Sequence, residues 1–142
     1  MKLLRIPYYV LILIISGLSF ITTASAEVGN LSNEQLKQMM AENIPVIDIR
    51  RPDEWKSTGI IPGSHLITFF DARGQFNLDK WLSELNKIAG KNDKFILVCR
   101  SGSRTGQVTR FLDQKLGYTQ VYHLQHGIKN WIRSGDKLVS IK

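Results

Sequence analysis

One cysteine, Cys99, stands in a chain of 142 residues, and a single thiol cannot close a disulfide or assemble a cysteine-rich zinc or iron–sulfur site. Proline is also scarce, at 4 residues, and the 11 glycines follow no period, which excludes collagen-like and low-complexity organisation. No internal repeat and no Pro/Gly/Ser-rich linker divides the sequence. Acidic side chains are the minority, with 12 Asp and Glu against 19 Lys and Arg and a net charge of +7. The remaining composition, 43% apolar and 22% charged, is that of a packed domain and not of a disordered chain. The length fits one domain.

The first residues carry an address. Lys2 and Arg5 precede an apolar run over residues 6–20, and Ala24, Ser25 and Ala26 follow it. That order is a secretory signal peptide with cleavage after Ala26. The run is about 15 residues, short of the roughly 20 that cross a bilayer as a helix, so removal is favoured over retention as an anchor. Residues 1–26 are therefore expected to be a leader and 27–142 a single domain. The mature protein is expected to be periplasmic or secreted, with no stable membrane span. A thiol without a partner in an oxidising compartment needs a chemical reason.

Along the domain, short apolar runs alternate with helical periodicity. Ser32 and Gln35 form a capping box for a helix over 33–42, with Leu36, Met39 and Met40 on one face. Residues 45–49 read as a buried strand interrupted by Asp48, and 65–68 as a second. Asp53 and Glu54 suit the first turn of a helix near Trp55. Asn77 caps a helix through Ile88, and residues 95–98 are an unbroken apolar run, the mark of a strand covered on both faces. A helix ending at Leu116 and Gly117, a strand over 120–123 and a helix over 128–133 complete the order, the last with Ile128, Trp131 and Ile132 as apolar contacts. The expected fold is α/β, a mostly parallel central sheet with helices on both faces. In such sheets ligands bind beyond the carboxyl ends of the strands, which is where Cys99 stands.

The segment Cys99-Arg100-Ser101-Gly102-Ser103-Arg104-Thr105 joins a strand end to a helix start. A tight loop here turns backbone N–H groups toward the sulfur, and the helix adds the positive end of its dipole. Gly102 permits a positive φ. Arg100 and Arg104 add charge, and Ser101 and Ser103 add hydroxyls. Each effect favours thiolate over thiol, so a depressed Cys99 pKa is expected. A buried structural cysteine needs none of these neighbours.

Here the residues carry a resemblance. Val46-Ile47-Asp48-Ile49-Arg50, Pro52-Asp53-Glu54-Trp55, Gly59-Ile60-Ile61-Pro62-Gly63-Ser64, the 99–105 loop, Gly117-Tyr118, Val121-Tyr122-His123-Leu124 and Gly127-Ile128 before Trp131 occur in order along nearly the whole domain. Together they resemble a single-domain rhodanese of the thiosulfate sulfurtransferase-like family, in an exported form. The resemblance implies the rhodanese-like fold and a Cys99 that takes sulfane sulfur from a donor such as thiosulfate. A nucleophile such as cyanide or a thiol then receives it. One departure is His126-Gly127, where the family usually has paired glycines. A side chain at His126 either projects toward the loop or lies on the surface.

In this reading Cys99 is the nucleophile, with Cys99–S–SH as intermediate. The amides of residues 100–104 hold its charge, and Arg100 and Arg104 orient an anionic donor. Asp48 and Arg50 are expected to brace the loop from a neighbouring strand end. His65, His123 and His126 show no sequence proximity suggesting a pairing with Cys99, and Trp55, Trp81 and Trp131 read as core anchors. Partners are a small anionic sulfur donor and a thiol or cyanide acceptor, with a protein acceptor as a further expectation. No cofactor and no metal are expected. Nucleic acid is a poor fit, because the basic residues are scattered and no recognition motif is present. Two alternatives stay open: a low-turnover sulfur carrier or partner-binding module, and a cysteine-dependent phosphatase or arsenate reductase. Phosphatases with such a loop place one more residue between cysteine and arginine. Here four separate Cys99 from Arg104, a ring better suited to one added sulfur atom.

Overall fold

The computed structural model describes residues 29–142; the leader and its cleavage point lie outside the described residues. Five strands form one sheet, all neighbours parallel, in the order β1-β5-β4-β2-β3. They are β1 (Gly29–Leu31), β2 (Val46–Asp48), β3 (His65–Leu66), β4 (Phe95–Val98) and β5 (Val121–Leu124). The helices are α1 (Asn33–Ala41), α2 (Pro52–Thr58), α3 (Leu78–Leu85), α4 (Ser103–Leu116) and α5 (Gly127–Arg133). The α/β architecture is the one the alternation of patterns implies. The chain adds β1, which pairs with β5 and which three residues of Gly, Asn and Leu do not announce by periodicity.

Central β4 shows how the sequence makes two layers. Successive side chains of a strand point to opposite faces. Phe95 and Leu97 join Trp81, Leu85, Val108 and Leu112 of α3 and α4 in one core layer. Ile96 and Val98 join Leu36 of α1 and Ile128 and Trp131 of α5 in the other. All four β4 residues are fully buried, which explains the unbroken apolar run. Burying each such side chain contributes roughly 1.5–3 kcal/mol.

Helix ends follow the capping chemistry. Ser32 Oγ accepts from the Gln35 N–H and Gln35 Oε1 from the Ser32 N–H; Asn77 Oδ1 accepts from the Lys80 N–H. Gly117 closes α4 in the left-handed conformation at φ +73°. Several expectations change, and the strands expected over 45–49 and 65–68 shorten to Val46–Asp48 and His65–Leu66. α3 stops at Leu85 instead of Ile88, its chain continuing into a turn. Ile132 is 42% exposed, because α5 turns only Ile128 and Trp131 inward. Among the described residues no helix is long and apolar enough to cross a membrane.

Candidate active site around Cys99

Cys99 follows β4 directly, and its side chain continues the alternation onto the α3/α4 face, in the layer of Phe95 and Leu97. It has no exposed surface. The loop folds back so that the Gly102 N–H donates to Sγ at 3.2 Å, and Thr105 Oγ1 lies 3.4 Å from the same atom. This turn depends on glycine. Gly102 has φ +90°, and a Cβ there would overlap the carbonyl oxygen of Gln125.

The start of α5 holds the loop from outside. The Ile128 and Lys129 amides donate to the Cys99 and Arg100 carbonyls at 2.9 and 3.0 Å. For them to reach, Gly127 takes φ +62° and lies so close that a Cβ would overlap the Arg100 carbonyl. Position 126 carries no such demand: His126 has φ −107°, is exposed and makes no side-chain capping bond. Of the family's glycine pair, only the second is required by this backbone.

The remaining loop residues divide into two sets. Arg100, Ser101 and Ser103 are exposed at the mouth. Arg104 is engaged. Its Nη1 and Nη2 donate to the two Glu54 carboxylate oxygens at 2.9 and 2.6 Å. The hydrogen bonds to Glu54 raise the Arg104 pKa. Burial pushes the Glu54 carboxyl up, but hydrogen bonds from Arg104 and the Arg51 amide outweigh it and leave the group below its ordinary value. Glu54 thus holds two of the five N–H donors of Arg104 and fixes the guanidinium beside the recess that it borders. Of the amides expected to line the sulfur, Gly102 is the one bonded to Sγ itself among the described residues.

Asp48 and Arg50 also find a different place from that expected. They pair with each other, Arg50 Nη2 to Asp48 Oδ2 at 2.7 Å and Nε to Oδ1 at 2.9 Å, both side chains 1% exposed. Arg50 further donates to Thr58 Oγ1 at 2.8 Å and the Gly59 carbonyl at 3.0 Å. Among the described residues neither bonds to the 99–105 loop. The pair fixes the end of α2 and leaves the bracing of the loop to Glu54. Glu54 was legible only as a first-turn acid, which it also is, since its Oε2 accepts from the Arg51 N–H at 3.1 Å. A recess of about 420 Å³ lies between α2 and the loop, and Arg50, Arg51, Glu54, Thr58, Arg100 and Arg104 all border it.

The histidines separate as well. His65 and His126 are exposed, but His123 is 6% exposed and is linked to the cysteine through one residue. Its Nδ1 lies 3.1 Å from Thr105 Oγ1, and its Nε2 2.7 Å from Asn30 Oδ1. Burial, and then the charge of Arg110, holds its pKa below the ordinary imidazole value. Sequence proximity could not reveal this. The strand order does, since β5 lies beside β4 with His123 opposite Leu97. Parity is the sequence signal: Val121 and His123 alternate in step, and Val121 belongs to the Cys99 layer.

A buried strand-end cysteine, a glycine-dependent loop feeding a helix and a parallel sheet in this order define a class. Residues 32–134 match the model of the rhodanese-like domain, and the chain belongs to that family. Solved structures agree on the fold. A rhodanese-related protein from Thermoplasma volcanium is 26% identical, with a TM-score of 0.59 over 78% of this chain and 97% of that one. The polysulfide-sulfur transferase homodimer of Wolinella succinogenes is 20% identical, with a TM-score of 0.61 over 82% of each chain. A Rhodopseudomonas palustris protein described as a possible tyrosine phosphatase is 22% identical, with a TM-score of 0.56 over 79% of this chain and 85% of that one. No curated protein sequence matches this chain.

Proposed function

We propose that this rhodanese-like domain is a sulfurtransferase that carries sulfane sulfur on Cys99. With thiosulfate as donor, the Cys99 thiolate attacks the outer sulfur. An S–S bond forms at Sγ, the donor's S–S bond breaks, and sulfite leaves with the electron pair. A thiol or cyanide then attacks the outer sulfur of the persulfide, and Cys99 departs as thiolate. The Gly102 N–H, 3.2 Å from Sγ, supports the negative charge in both steps. Exposed Arg100 supplies the attraction for an anionic donor at the mouth. A protein acceptor fits the same chemistry.

One observation carries the choice of sulfur over phosphate. Hydrolysis of a phosphate ester needs a loop wide enough to clamp three equatorial oxygens, and four residues separate Cys99 from Arg104, one fewer than in phosphatases with such a loop. A single added sulfur requires no such clamp. Cys99 is fully buried, and the exposed residues Arg100, Ser101 and Ser103 are the part of its loop that a donor meets first.

The test is mass spectrometry after incubation with thiosulfate or polysulfide. One added sulfur on Cys99, absent in Cys99→Ser, and turnover toward cyanide or a thiol are expected. Turnover by Cys99→Ser, or Cys99-dependent phosphate-ester hydrolysis without a persulfide, overturns the reading. A stable persulfide discharged only by one protein would make the domain a carrier. Export belongs to the same proposal; sequencing the amino terminus of protein recovered from the periplasm or medium is expected to start at Glu27.

A further inference from the structure

A thiol with no exposed surface must still lose its proton before it attacks, and water cannot take that proton directly. Among the described residues two groups lie within hydrogen-bond distance of Sγ, the Gly102 N–H and Thr105 Oγ1. An amide N–H only donates. Thr105 Oγ1 is thus the one neighbour able to receive a proton. It can pass its own to either of two groups, the Gly102 carbonyl at 3.1 Å or His123 Nδ1 at 3.1 Å. Of these only the imidazole is a titrating base, and burial and Arg110 favour its neutral, proton-accepting form.

We propose that Thr105 and His123 form a proton relay that carries the Cys99 proton to the imidazole, with Asn30 of β1 holding the ring in orientation and His123 as the positioning residue that acts on the sulfur through Thr105. The inference rests on the sulfurtransferase reading for its purpose, but the relay itself needs no sulfur donor. Asn30 Oδ1 only accepts, so His123 Nε2 carries a proton and Nδ1 of the neutral ring is free to accept. The resting chain runs Cys99 S–H to Thr105 Oγ1, Thr105 O–H to His123 Nδ1, and His123 Nε2–H to Asn30 Oδ1. Ionisation moves the thiol proton to Oγ1 and the hydroxyl proton to Nδ1. Thiol and imidazole become thiolate and imidazolium, with no atom or electron gained or lost. The Thr105 hydroxyl then donates to the thiolate.

Burial suits the route. Cys99 and Thr105 are wholly enclosed and His123 nearly so, whereas Asn30 is exposed. The relay therefore runs from Cys99 toward the edge strand β1 and ends on the His123 ring, which Asn30 holds. β1, β5 and α4 supply its parts in register, with Asn30 opposite His123 and His123 opposite Leu97 across the sheet. Gly106 of α4 faces the ring, its Cβ position 3.5 Å from His123 Cε1. Among the described residues the charged group bearing on His123 is Arg110 of α4, and Arg104 of the same helix, in the loop that carries the sulfur, is paired with Glu54.

Two groups so linked titrate as a pair. The experiment follows thiolate ultraviolet absorbance, which one cysteine per chain makes unambiguous, and the ¹⁵N imidazole resonances of His123, both against pH. Wild type is expected to show a shared inflection in both signals and a thiolate fraction that persists on the acid side. His123→Gln keeps a hydrogen-bonding side chain without a titrating ring. It is expected to lower the acid-side thiolate fraction about tenfold, the effect of a coupling of about one pK unit. Thr105→Val should give the same profile, the double variant no further change, and Thr105→Ser should restore the wild-type curve. Superimposable profiles for wild type and His123→Gln, or additive effects in the double variant, overturn the relay. Persulfide formation measured in parallel reports separately on sulfur transfer, which can fail with the coupling intact.

Discussion

Glu54 of α2 binds Arg104 of α4 through both carboxylate oxygens, at 2.9 and 2.6 Å, with side chains 14% and 24% exposed. The loop that carries Cys99 is therefore tied at its far end to a helix from another part of the chain. Glu54→Gln is expected to cost about 1–3 kcal/mol near neutral pH, the scale of charge-assisted hydrogen bonds. The Glu54 pKa lies below its ordinary value in the folded state, so its stabilisation is full above the unfolded carboxyl pKa and is lost as pH falls through the folded one. Denaturant unfolding of the two proteins should converge in acid. A constant gap down to the lowest pH would show that the pair does not titrate.

Gly102 and Gly127 make a second pair of sites. Each has a positive φ and no space for a Cβ. Gly102→Ala and Gly127→Ala are each expected to lower stability by about 1–3 kcal/mol from backbone strain alone, with further loss from the overlap. Persulfide yield should fall in parallel. His126→Gly is the contrasting change and is expected to stay within about 0.5 kcal/mol of wild type, with unaltered persulfide formation.

The enclosed pair of Asp48 and Arg50 should behave differently from the loop. Arg50→Met leaves a buried carboxylate unpaired and is expected to cost about 3–5 kcal/mol, read as a lower denaturation midpoint. Neither residue bonds to the loop, so the fraction that remains folded should still form the persulfide at a near-normal rate. A rate that collapses while the fold persists would place Arg50 in the chemistry.

Arg100 is exposed and has no ion-pair partner among the described residues. Arg100→Ala is expected to slow loading by thiosulfate several-fold at low salt, with the difference shrinking as ionic strength rises. Stability should be unchanged. Salt-independent loss would assign Arg100 to a bound contact instead of attraction at a distance.

Much of this was written in local sequence. The unbroken run before Cys99 marks a doubly covered strand, Ser32 and Asn77 mark helix starts, and the glycine inside the loop marks the turn beneath the sulfur. What local sequence could not supply is lateral order. His123 and Asn30 lie 24 or more residues from Cys99 in the chain and meet it only because β1, β5 and β4 are neighbours. Glu54 reads as a helix-start acid from its position and becomes the holder of Arg104 only once α2 is set beside α4. Asp48 and Arg50 fail in the opposite sense. Their place at a strand end suggested a brace on the loop, but two opposite charges two residues apart satisfied one another first.

The hydrogen bonds from the Ile128 and Lys129 amides to the Cys99 and Arg100 carbonyls have a consequence for assembly. The loop is complete at Thr105, well before α5 begins at Gly127, yet two of its carbonyls find partners only when that last helix docks. The backbone around the sulfur is thus clasped from both ends of the chain, by Glu54 before the loop and by α5 after it.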